Sequence, residues 1–126
     1  MNELGIHILM EFNECPFDVL DNLEELEQSL NEAARAADAT IIKSIFHQFS
    51  PQGVTGVVVV AESHLAIHTW PEYNYAAVDF FTCNLSMDYM KTYNLLVQHL
   101  KSTKHSYQTI KRGTSTKQIM HELPKS

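Results

Sequence analysis

The chain of 126 residues is 44% apolar and 19% charged, with a formal net charge of −6. That length suits one domain with its own core, here expected to run over residues 1–126, and the composition is that of a globular protein and not a disordered one. The acidic balance argues against a general nucleic-acid surface, which clusters Lys and Arg against phosphates, so the expected partner is a small molecule or another protein.

The opening "MNELGIHILMEFNECP" carries acids and a histidine where a secretion signal needs a basic start and an unbroken apolar core. The longest apolar run, "VVVVA" at 57–61, is far below the ~20 residues that span a bilayer. A cytoplasmic protein that does not enter membranes is expected. Within the opening, residues 4–12 suit a first strand. In "ECPFDVLDNLEELEQSLNEAARAAD", Phe17, Leu20, Leu23, Leu26 and Leu30 recur at spacings of three and four, which predicts one amphipathic helix with Pro16 near its start. "ATIIKSIFHQFS" alternates around β-branched residues as a second strand, Pro51 and Gly53 mark a turn, and "VTGVVVVAES" reads as a third strand, central because it is apolar on both faces.

"LAIHTW" either continues that strand or begins another after a kink, and Pro71 ends it. "YAAVDFFTC" is a further strand. Met87, Met90, Tyr93, Leu96, Val97 and Leu100 share helical spacing, with Ser86 as the expected cap. "HSYQTIKR" closes the fold, and a polar tail follows. The order β-α-β-β-β-α-β predicts an α+β two-layer sandwich, a largely antiparallel sheet with both helices on one face.

The densest chemistry lies in "AESHLAIHTWPEYNYAAVDFFTC", residues 61–83. His64 and His68 share one side of an extended strand, and His47 offers a third imidazole, but neither HExxH nor CxxC accompanies them. Cys15 and Cys83 stand far apart and suit neither a disulfide framework nor a structural zinc site. Ser63 lacks the G-x-S-x-G elbow of a serine hydrolase. Half-exposed strand histidines and a turn serine are the plain alternative.

A third reading uses all these parts. "ESHLAIHTWPEY" and "YAAVDFFTC" resemble the processing and catalytic segment of the prokaryotic pyruvoyl-dependent S-adenosylmethionine decarboxylases, and the likeness continues through "FHQFSPQGVTGVVVVAESH" and back to "LGIHILMEFNECPFDVLDN". The resemblance implies that the proenzyme cuts itself between Glu62 and Ser63, giving a β chain of 1–62 and an α chain of 63–126. Ser63 Oγ would attack the Glu62 carbonyl to form an ester. β-Elimination would then split the chain and leave a dehydroalanine, which water hydrolyses with loss of ammonia to a pyruvoyl group derived from Ser63, a covalent cofactor that forms a Schiff base with the substrate amine and takes the place of pyridoxal phosphate or a metal.

The resemblance gives His68 the role of processing base, for which an imidazole is suited, Cys83 that of proton donor to the substrate carbon, and Thr55 that of a hydroxyl assisting the ester. It places Phe49 under the adenine, Glu72 at the ribose and the Leu65 backbone at the adenine edge. Two departures stand out: Thr55 replaces the family's usual serine, and Ile6 its usual arginine. An extended 63–68 segment would hold His68 roughly 15 Å from Ser63 at ~3.3 Å per residue, so the chain must bend or a second subunit must supply His68. A homodimer with shared sites follows as the expectation, His68, Thr55 and Glu72 of one protomer completing the site around Ser63 and Cys83 of the other. A pyruvoyl decarboxylase of arginine or ornithine, or an uncut non-catalytic homologue binding an active partner, stays open at this point.

Overall fold

The computed structural model describes residues 3–114. Six strands, β1 (Gly5–Asn13), β2 (Ile41–Gln48), β3 (Val54–Val60), β4 (Ser63–Trp70), β5 (Tyr75–Thr82) and β6 (Lys104–Arg112), form one sheet in the order β2-β3-β4-β5-β1-β6. Every pairing is antiparallel. The helices α1 (Phe17–Leu20), α2 (Leu23–Ala36) and α3 (Tyr89–His99) complete the expected α+β layering.

Strand alternation builds the core. Ile8, Met10 and Phe12 of β1, Val54, Val58 and Val60 of β3, Leu65 and Ile67 of β4, and Ala76, Val78 and Phe80 of β5 are buried, as are Leu26 and Leu30 of α2 and Leu96 of α3. Each of these side chains except that of Ala76 contributes about 1.5–3 kcal/mol through removal from water. The intervening residues, among them Leu9, Thr55, Val57, Val59, Ala66, His68, Ala77 and Phe81, form a second, half-exposed face of the sheet. Ile45 of β2, Trp70 of β4 and Ile110 of β6 extend it as exposed apolar side chains.

Four expectations need correction. The first helix is two helices: Asn22 leaves helical geometry, and its side chain accepts a hydrogen bond from the Glu25 N–H at 3.2 Å, so capping restarts the chain as α2. Asp88 and not Ser86 stands at the N-cap of α3, because the Ser86 hydroxyl bonds to Asn84 Oδ1 at 2.7 Å instead. β3 is one strand from the edge of the sheet, not central, and its second apolar row lies on the half-exposed face. The expected order is one strand short: of the two readings of "LAIHTW" the new strand holds, and it begins at Ser63, turned back by Ala61 and Glu62. The tail, apart from residues 113 and 114, lies outside the described residues.

At β3, Gly56 is required by its neighbour: a Cβ there would run into the ring of Phe46, which lies over it from β2. The β2–β3 turn is tied down from the helix layer. Asp21 Oδ1, at the end of α1, accepts from the Gly53 N–H at 2.9 Å and from Gln48 Nε2 at 2.8 Å. This turn carries Phe49.

Candidate active site

The chemistry gathers at the two ends of β4. At its start, Val60 and Ser63 are paired across a hairpin whose two loop residues are Ala61 and Glu62. Glu62 has φ +65°, in the left-handed region. A residue with a Cβ pays about 1–2 kcal/mol for that conformation, so backbone strain sits on the residue preceding Ser63. The Glu62 carbonyl accepts a hydrogen bond from the Cys83 N–H at 3.1 Å. Ser63 Oγ donates to Thr82 Oγ1 at 2.8 Å, and the two residues are direct register partners on β4 and β5. Cys83 follows at the end of β5 as a free, exposed thiol.

At the other end of β4, Thr55 Oγ1 and His68 Nδ1 share a hydrogen bond at 3.2 Å, across directly opposed residues of β3 and β4. With Nδ1 engaged by the hydroxyl, Nε2 is the ring nitrogen left to exchange a proton. His47 continues this row on β2 opposite Thr55, and Phe49 meets the His47 ring edge-on at a centroid separation of 4.6 Å. Thr69 braces this end from below: buried, it donates to the Leu20 carbonyl at 2.8 Å and accepts from the Val54 N–H at 2.9 Å.

The structure therefore brings Glu62, Ser63 and Cys83 together, and Thr55 and His68 together, but holds the groups apart. Ser63 and His68 are five residues apart in one continuous strand. An odd offset also puts them on opposite faces: Ser63 shares the helix-side row with Leu65 and Ile67, and His68 the open side with His64 and Ala66.

Of the remaining residues, Glu72 is exposed in a 3₁₀ turn spanning Pro71–Tyr73. Phe49 is 48% exposed, a ring available to a ligand and not a core residue. Trp70 is 40% exposed and stacks on Tyr75 with centroids 5.5 Å apart. Leu65 is fully buried by its side chain and flanked by β3 and β5, so only its backbone is at issue. Ile6 lies opposite Thr82 in register, in the same row as Ser63, so the position where the resemblance expects an arginine is near Ser63. Sequence reasoning missed Thr82. No motif spacing marks it, because its relation to Ser63 exists only through strand pairing. Among the described residues no three His, Cys, Asp or Glu side chains gather as metal ligands, and no helix is long and apolar enough to cross a membrane.

An antiparallel sheet covered by helices on one face, with a serine at a strained hairpin and a hydroxyl–imidazole pair at the far end of the same strand, defines an α+β protein whose reactive groups are divided between two places. Comparison with known proteins identifies which kind. A family described as S-adenosylmethionine decarboxylase matches residues 6–113, and the chain belongs to that family. It is 53% identical over 104 residues to the S-adenosylmethionine decarboxylase proenzyme of Thermosipho africanus, covering 82% of this chain and 80% of that protein. To the proenzyme of the same name from Pseudomonas aeruginosa it is 50% identical over 110 residues, covering 87% and 69% of the two chains. The crystal structure of the adenosylmethionine decarboxylase from Aquifex aeolicus superposes with a TM-score of 0.82 at 34% identity, over 90% of this chain and 93% of that one.

Proposed function

We propose that this chain is a carboxy-lyase that decarboxylates S-adenosylmethionine, supplying aminopropyl groups for spermidine biosynthesis, after cutting itself between Glu62 and Ser63 into chains 1–62 and 63–126. The observation that carries the self-cleavage is the arrangement at the β3–β4 hairpin: a strained residue, its carbonyl held by a backbone donor, and a hydroxyl fixed beside it. Family membership supports the reaction and substrate.

Ser63 suits the role of precursor to a pyruvoyl group, because its hydroxyl belongs to the residue bonded to the Glu62 carbonyl carbon and is held in one place by Thr82. When formed, that group supplies an electron sink for decarboxylation, with no call for pyridoxal phosphate or a metal. Within the chain, the Cys83 N–H holds the Glu62 carbonyl oxygen and would stabilise negative charge developing there. His68, fixed by Thr55, removes the Ser63 Cα proton in cleavage, and the exposed Cys83 thiol returns a proton to the substrate carbon. Phe49 offers a face for the adenine and the exposed Glu72 a carboxylate for the ribose hydroxyls.

The separation of Ser63 from His68 supports a homodimer in which each site takes its cleavage bond from one protomer and its imidazole from the other. The half-exposed apolar face of the sheet is a surface of the kind that a second copy would cover.

Intact mass spectrometry of the purified protein tests the cleavage: two chains divided after residue 62, the second with a ketone in place of its amine, are expected, and a persistently uncut chain sinks the proposal. CO₂ release from S-adenosylmethionine, arginine and ornithine, assayed side by side, tests the substrate. Release from either amino acid but not from S-adenosylmethionine would overturn the assignment while leaving the pyruvoyl chemistry in place.

A further inference from the structure

We infer that Thr82 is a positioning residue for self-cleavage, holding Ser63 Oγ so that its lone pairs, and not its hydrogen, face the Glu62 carbonyl. This rests on the cleavage reading above. Thr82 is 1% exposed, and its hydroxyl is fully engaged. It accepts from the Asn84 N–H at 3.0 Å and donates to the Asn84 carbonyl at 3.4 Å, so the backbone beyond β5 fixes its orientation. One acceptor site is left, and Ser63 Oγ donates into it at 2.8 Å.

The direction of that bond matters chemically. A Ser63 hydroxyl whose hydrogen pointed at the Glu62 carbonyl would be a poor nucleophile towards it. With the hydrogen committed to Thr82, the Ser63 oxygen keeps both lone pairs for attack. The next residue completes the arrangement, since the Cys83 N–H draws on the oxygen of the carbonyl under attack. The end of β5 thus aligns the nucleophile through a side chain and polarises the electrophile through the main chain. In the step served, the Oγ–C bond to Glu62 forms and the Glu62–Ser63 C–N bond breaks. The Oγ proton ends on the freed Ser63 nitrogen, so an amide and a hydroxyl become an ester and an amine with no outside reactant.

Thr82→Val keeps the shape and removes the acceptor; Thr82→Ser keeps the acceptor and removes the methyl. The loss of a hydrogen bond to a group gaining charge predicts self-cleavage roughly 30-fold slower in Thr82→Val, with Thr82→Ser restored to near the wild-type rate. Hydroxylamine separates positioning from a later defect, because it cuts any chain that has reached the ester. A His68→Ala chain, blocked after the ester, should be cut by it, whereas Thr82→Val should resist. Melting of both Thr82 variants in a Ser63→Ala background reports folding, and Thr82→Ala serves as the acceptor-free variant if valine does not fold. Cleavage of a folded acceptor-free variant at the wild-type rate, its rapid cutting by hydroxylamine, or failure of Thr82→Ser to restore cleavage would overturn the inference. An uncut wild-type chain would instead overturn the cleavage reading itself.

Discussion

Two inactive variants should restore each other if the site is shared. Ser63→Ala removes the hydroxyl proposed to cut the bond and His68→Ala the imidazole proposed to remove the proton, and neither homodimer should mature. In a mixed dimer, one site takes Ser63 from the His68→Ala chain and His68 from the Ser63→Ala chain, and is intact; the other lacks both. Random pairing makes half of the dimers mixed, and one of their two sites works, so roughly one quarter of all sites should be functional. The geometry leaves no route within one chain, since β4 runs unbroken from Ser63 to Trp70 and pairs with β3 and β5 along its length. Folding His68 back on Ser63 would break that ladder and turn a residue through the sheet. Co-expression with distinguishable tags, purification of the mixed dimer, and intact mass measurement provide the assay. Only the His68→Ala chain should be cut, and CO₂ release should reach about half the wild-type rate per purified mixed dimer. A purified mixed dimer that stays uncut, or a His68→Ala homodimer that matures at the normal rate, would refute the shared-site reasoning.

Thr55→Val removes the hydroxyl partner of His68 and should slow maturation about tenfold, as expected for one lost hydrogen bond of ~1.4 kcal/mol, while Thr55→Ser, the family's usual residue, should equal or exceed the native rate; time courses of chain cleavage measure both. Iodoacetamide at neutral pH should label the exposed Cys83 and abolish CO₂ release before Cys15 reacts, because burial, opposed in part by Ser102, raises the Cys15 thiol to about 11; peptide mass mapping against residual activity checks the order. The same shift has a stability consequence: the folded chain holds the Cys15 proton more tightly than the unfolded chain, so urea midpoints should decline as pH rises from the unfolded thiol's pKa near 9 towards about 11, and a Cys15→Ala variant should lose that component of the slope. Gly56→Ala should cost about 1–3 kcal/mol in a Ser63→Ala background, since the new methyl meets the Phe46 ring, and urea denaturation reads it directly.

The sheet and both helical regions were legible because burial imposes a period, and residues such as Ile8, Met10 and Phe12 or Leu23, Leu26 and Leu30 display it without reference to anything distant. The separation of Ser63 from His68 was legible for the same reason, as it follows from counting along one strand. What escaped depended on partners. The break at Asn22 is a competition between helix continuation and a local cap, visible only faintly as an Asn three residues before Glu25. β3 reads as central because its two faces are apolar, yet an apolar second face can equally await another chain. Thr82 is 19 positions from Ser63 and belongs to no motif; only the β4–β5 register brings the two hydroxyls together.

That register also bears on how maturation is controlled. The proposed cleavage needs two kinds of event, an acyl shift from nitrogen to oxygen and the later removal of a carbon-bound proton, and the fold sets their parts differently. The strain at Glu62, the Cys83 N–H and the Thr82 acceptor, argued to serve the shift, lie within one chain where the β3–β4 hairpin meets the end of β5, and Thr55, the hydroxyl expected to assist the ester, stands apart from them beside His68. The base argued to serve the second event is built into the same chain but at the far end of β4, where it cannot act on its own serine. An isolated chain would therefore reach the ester reversibly and stop, because the shift exchanges one amide for one ester without losing an atom. Only pairing with a second copy would bring an imidazole to the Ser63 Cα proton and make the cut irreversible. On this reasoning the fraction of hydroxylamine-sensitive chain should rise on dilution below the dimer dissociation constant, while net cleavage falls. Cleavage rates independent of protein concentration across that range, with the monomer shown to be populated by ultracentrifugation, would break the link between assembly and maturation.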